Sequence, residues 1–171
     1  MIKLFNLLLI TLLATITNAH EEMPKAPEMP KDFTKIKALV GNWTATSKMG
    51  AKIETSNVSF ELTAGGTTVM ERMFTNSPHE MVSMYHANNG EVAMTHYCML
   101  GNQPMMALKE ATDKKMVFDM KDATGLKSAN ELHMHSLTIM MTDANHVTEE
   151  WVSYDAGKKK DVKTISLARK L

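Results

Sequence analysis

The residues of this chain with the most chemistry in their spacing are its histidines. His133 and His135 stand two apart in HMHSLTIMM, and Leu137, Ile139 and Met141 continue the alternation. In an extended strand such residues share a face, with side chains roughly 6.5 to 7 Å apart. Both rings then reach one metal ion if a third ligand faces them, and His96 is the candidate third ligand. A three-histidine site leaves a position for water or substrate, hence hydrolytic chemistry. The competing reading is that these rings hydrogen-bond to neighbours in a barrel wall. Glu149 and Trp151 also share a strand face. An inward Glu149 paired with Arg72 would hold a polar headgroup, whereas a surface pair would contribute little.

Cys98 follows His96 on the same face, with Tyr97 on the other, so a Cys/His nucleophile pair lacks the third group and oxyanion donors that acyl transfer needs. Tyr85 lies opposite Met94 on the face that carries His96. Gly101-Asn102-Gln103-Pro104 can close a loop on its own backbone or offer Asn102 and Gln103 to a ligand amide. The chain holds 17 methionines, which either fill a core or line an adaptable apolar cavity. Their dispersal, without short M-x-x-M clusters, argues against copper handling, although an N-terminal His20 after cleavage would be a copper-binding group. Lys158-Lys159-Lys160 reads as a solvated turn.

Compartment limits this chemistry. Residues 1–19 carry Lys3, an apolar run and the small-residue ending Thr17-Asn18-Ala19, which reads as a signal peptide cleaved after Ala19. The expected location is periplasmic or extracellular. The apolar run is too short to span a bilayer, and no later segment approaches ~20 apolar residues, so no stable membrane insertion is expected. The single cysteine excludes an internal disulfide. Lys plus Arg and Asp plus Glu each number 19, and cleavage would remove Lys3 and no acid. Nucleic acid and anionic membrane surfaces, which need a basic surplus, are poor partners.

The elements that must position these residues begin after an extended tail, 20–31, with Pro24, Pro27 and Pro30. Asp32 is placed to cap a short helix in which Phe33, Ile36, Leu39 and Val40 share a face. Beyond Trp43 the period changes to two. Strands are expected at about 42–48, 52–63, 67–75, 80–87, 91–98, 104–111, 115–120, 133–141, 145–154 and 161–169. Short turns between them favour antiparallel neighbours. Asn89-Gly90, a type I′ signature, pairs Ala87 with Val92, Tyr85 with Met94 and Ser83 with His96. The expected fold is all-β: one domain over 32–171, an antiparallel up-and-down barrel of about ten strands closed at one end by the helix.

Gly41-Asn42-Trp43 after a short helix, a run of antiparallel strands, and Arg169 in the last one resemble the calycin superfamily of lipocalin-like barrels. That resemblance implies that the Trp packs at the closed end under the Arg. The strings PHEMVSMYH, THYCMLGNQP and HMHSLT are similar to an uncharacterised exported bacterial family of lipocalin-like proteins, in which an Arg stands where this chain has Met105. The ten-strand count is also similar to nitrobindin, which implies haem held by a histidine, here His96, His133, His135 or His146. The expected function is binding of a small apolar or amphipathic molecule, without catalysis. The alternatives are a metal or haem barrel, and a packed barrel acting through its surface.

Overall fold

Asn89 and Gly90 set the frame. Their φ angles of 50° and 83° lie in the left-handed region that Asn tolerates and Gly adopts freely. The two-residue turn they make pairs Asn88 with Glu91, Ala87 with Val92, Tyr85 with Met94 and Ser83 with His96, as the sequence predicts. The pleat then places Ser83, Tyr85, Val92, Met94 and His96 on one buried face.

The computed structural model describes residues 27–49 and 52–170. The expected signal peptide, His20 and the tail up to residue 26 lie outside these residues. After a five-residue helix, α1 (Phe33–Lys37), come β1 (Gly41–Met49), β2 (Lys52–Thr63), β3 (Thr68–Met73), β4 (Met81–Asn88) and β5 (Glu91–Tyr97). They are followed by β6 (Gln103–Ala111), β7 (Lys115–Thr124), β8 (His133–Asp143), β9 (His146–Asp155) and β10 (Lys158–Arg169). Each strand pairs antiparallel with its sequence neighbour, and β1 pairs with β10 to close the barrel. Closure leaves no free sheet edge among the described strands to template association.

Helix α1 covers one end. Phe33, Ile36 and Leu39 are buried, and each such side chain contributes about 2 kcal/mol by leaving water. Asp32 does not cap the helix with its side chain; it accepts from Lys35 Nζ at 2.6 Å instead. Val40 does not join the buried face, because the helix ends at Lys37 and the chain has already turned toward β1.

Trp43 fills the floor of this end. Its Nε1–H donates to Leu39 O at 2.8 Å. The Arg169 guanidinium lies 4.1 Å from its ring centroid and donates to the carbonyls of Ala38, Val40 and Ala144 at 2.8, 2.7 and 3.0 Å. This is the stacked arrangement that the Gly-x-Trp and Arg pattern implies. Gly41, at φ 138°, makes room for it: a Cβ there would stand 2.6 Å from Arg169 Nη1.

One local irregularity changes the site. In the pairing of β8 with β9, Met134 faces Ser153 and Ser136 faces Val152, so His135 is an extra residue in a bulge. Alternation is interrupted there. Leu137 and Ile139 are buried inward as expected, while Met134, not His135, lines the interior.

Candidate functional site

The end opposite α1 is hollow. A cavity of about 900 Å³ is bounded by the final turns of β3, β5 and β9 and the first residues of β4, β8 and β10. Met73, Phe74, Met81, Met134 and Ile165 make its wall mainly apolar, and Met99 and Leu100 stand at its mouth with 57% and 45% exposure. Glu54, Lys160 and Lys163 add charge at the rim. Its size falls within the range of pockets that enclose small molecules.

His96 and Trp151 line the cavity at its inner end. Both are almost fully buried, with ring centroids 4.6 Å apart. His96 Nδ1 is 3.0 Å from Ser83 Oγ, and its Nε2 is buried without a hydrogen-bond partner. Loss of solvent pushes the His96 pKa down from 6.5 to about 4, so the ring is neutral near pH 7. A neutral imidazole with one nitrogen fixed and the other unpartnered is a pre-oriented polar anchor in an apolar cavity.

Deeper in the barrel lies a pair of carboxyls. Glu71 on β3 and Glu149 on β9 are both 0% exposed and face each other from different walls. Tyr85 Oη donates to Glu71 Oε2 at 2.9 Å, and Trp151 Nε1 donates to Glu149 Oε2 at 3.1 Å. Desolvation raises both carboxyls above the usual range, Glu149 well above, with the negative charge of Glu71 adding to its shift. Two ionised carboxylates in contact without water would repel strongly. Glu71 Oε1 and Glu149 Oε1 have no other hydrogen-bond partner, and one proton shared between the carboxyls would satisfy both.

Arg72 is not the partner of Glu149. Val69, Glu71 and Met73 face inward, so alternation turns Arg72 outward, where it pairs with Glu80 at 2.5 Å. The inward charged residue of this strand is Glu71, which sequence reasoning missed although Val69 and Met73 share its parity.

The three expected metal-binding histidines do not converge. His133 Nδ1 bonds to Glu131 O at 2.7 Å and its Nε2 lies 3.1 Å from His135 Nδ1. His135 stacks on Tyr154 at 3.8 Å and approaches Asp119 at 3.7 Å. Asp119 and Tyr154 alternate with the inward Phe118 and Ser153, so the bulge leaves this cluster on the outer wall, away from His96. Among the described residues no group of three or more His, Cys, Asp or Glu side chains is placed to hold a metal ion. His146 pairs with Asp143 on the surface.

The remaining candidates divide by face. Tyr97 is half exposed on the outside. Asn102 donates to Leu132 O at 3.0 Å, and Gln103 bridges Gly101 O and Thr124 Oγ1, so both tie loops together outside the cavity lining. Tyr85 supports the carboxyl pair. Cys98 does line the cavity, but burial pushes its thiol up, and His96 Nδ1 is already engaged by Ser83. Of the expected ligand contacts, the structure therefore places His96 and Trp151 on the cavity.

The fold and site define a closed ten-stranded antiparallel barrel with a one-ended internal cavity. Comparison with models of known protein families finds none that matches the chain, and none of the curated proteins matches it.

Proposed function

We propose that this protein is an exported, lipocalin-like binding protein that takes one small, mainly apolar molecule into its cavity and holds that molecule's polar group at His96. The single observation that carries this reading is the unpartnered His96 Nε2 at the inner end of an apolar hollow of about 900 Å³. A buried polar atom without a partner costs roughly 1–3 kcal/mol. A ligand that supplies the missing bond recovers that cost, while the apolar wall takes up the rest of its surface. The methionines suit a range of shapes, since Met side chains adapt with little strain.

Trp151 reports on occupancy, because its ring lines the cavity beside His96. Titration of the purified protein with medium-chain alcohols should change Trp151 emission saturably at one equivalent. The Trp151→Phe variant should lose the signal and keep binding by calorimetry. Absence of saturable binding across chain lengths from six to sixteen carbons would overturn the proposal.

A second reading rests on the same nitrogen. A neutral histidine with one ring nitrogen held by Ser83 and the other bare could hold haem iron. His96 would hold the iron, and the haem would supply an iron centre for binding a diatomic gas. A Soret band in the purified protein that disappears in His96→Ala would favour this reading over the first.

A further inference from the structure

Glu71, Ser83 and His96 occupy one row across three adjacent strands. Register pairs Glu71 with Ser83 between β3 and β4, and Ser83 with His96 between β4 and β5. Ser83 is fully buried, stands directly beside Glu71 in the register, and its Oγ lies 3.0 Å from His96 Nδ1. A hydroxyl has one proton to donate, so it cannot donate to both neighbours. The state of Glu71 therefore decides what Ser83 offers to His96.

Tyr85 Oη donates to Glu71 at 2.9 Å and Ser83 stands beside it, whereas among the described residues Glu149 receives Trp151 Nε1 at 3.1 Å from outside the pair. Charge is better placed on the carboxyl with the shorter bond and the hydroxyl beside it, which puts a shared proton on Glu149 and the charge on Glu71. An anionic carboxylate only accepts. Ser83 then turns its proton toward the charge on Glu71 and accepts from His96, which puts the His96 proton on Nδ1 and leaves Nε2 as a bare lone pair.

We propose that Glu71 and Ser83 are positioning residues that fix the hydrogen-bonding polarity of the cavity anchor, so that the ligand's polar group is a hydrogen-bond donor, a hydroxyl or an N–H. This rests on the cavity-binding reading above and narrows it. Bare carboxylates, ketones and ethers offer no proton to Nε2 and would leave it unsatisfied. Free histidine prefers the opposite tautomer, with the proton on Nε2, so the buried row overrides the intrinsic preference.

Long-range proton–nitrogen correlation spectra of the histidine-labelled full chain at pH 7 read the tautomer directly. The expected result is a protonated Nδ1 and bare Nε2 at His96 in the wild type, and a shift toward protonated Nε2 in Ser83→Ala. A wild-type His96 with its proton on Nε2 overturns the proposal, whether or not the variant folds. The ligand arm compares 1-dodecanol with its methyl ether. The wild type should favour the alcohol by about tenfold, and Ser83→Ala should lose most of that preference. Equal affinity of the wild type for both probes overturns the headgroup assignment. Binding of neither probe, with Nδ1 protonated, overturns the cavity-binding reading and the headgroup assignment with it, while supporting the tautomer assignment.

Discussion

Replacing His96 by Gln isolates the energetic cost of keeping an imidazole neutral in the barrel. In the unfolded chain His96 takes up a proton below its ordinary value of 6.5, whereas in the fold burial holds it down to about 4. Its contribution is therefore fully present above pH 6.5 and is lost as pH falls toward 4. Each pH step between the two values removes about 1.4 kcal/mol, so the total is on the order of 3 kcal/mol. His96 is 1% exposed, which leaves little solvent screening to reduce it. Urea unfolding of wild type and His96→Gln in parallel, at half-unit steps from pH 7.5 to 4, measures the difference. The exposed carboxylates whose pKa values are lowered by partners, Glu80, Asp143 and Asp155, titrate alike in both proteins and cancel. The wild type should lose stability relative to the variant as pH falls, most steeply below pH 6. A difference constant to within about 0.5 kcal/mol over this range would refute a buried, neutral His96.

Glu149 should show the opposite sign. Its raised pKa means that the fold retains a proton that the unfolded chain releases above the ordinary carboxyl value of 4.5. Stability from this proton is complete below pH 4.5 and declines as pH rises, so Glu149→Gln should gain on the wild type between pH 5 and 8 by up to about 1.4 kcal/mol per pH unit. Denaturation midpoints at the two pH values check it. Arg169→Met removes three hydrogen bonds to carbonyls and the contact with Trp43, and should cost about 2 kcal/mol in thermal unfolding. Gly41→Ala, which crowds the same guanidinium, should add less than its full single-site cost to Arg169→Met. Cys98, buried on the cavity with a raised thiol pKa, should react with Ellman's reagent at least tenfold more slowly than free cysteine at pH 8, and a saturating alkyl alcohol should slow it further. Rapid labelling unaffected by the alcohol would contradict the placement of Cys98.

Local rules made most of the wall legible. Turn residues separate ten alternating segments, and Asn89-Gly90 specifies a register that the backbone follows pair by pair. Trp43 and Arg169, 126 positions apart, meet because the first and last strands close the barrel. The parity of the third strand was also readable: Val69 and Met73 mark the inward set, which includes Glu71 and excludes Arg72. That Glu71 would meet Glu149 was not readable, since it depends on two nonadjacent walls approaching across the interior. The bulge at His135 left no turn or glycine signal in HMHSLTIMM. One extra residue reverses the side on which a ring emerges, and that reversal dismantled the expected histidine triad.

The proposed ligand sits in the open half of the barrel against His96. Native mass spectrometry of the protein isolated from its producing cells without denaturation tests it most directly, with Ser153→Phe, a substitution on the cavity lining, as the filled control. A single adduct of small-molecule mass is expected on the wild type, regained from added 1-dodecanol after extraction, and absent from the filled variant. A wild type that carries no adduct and takes up none would contradict it.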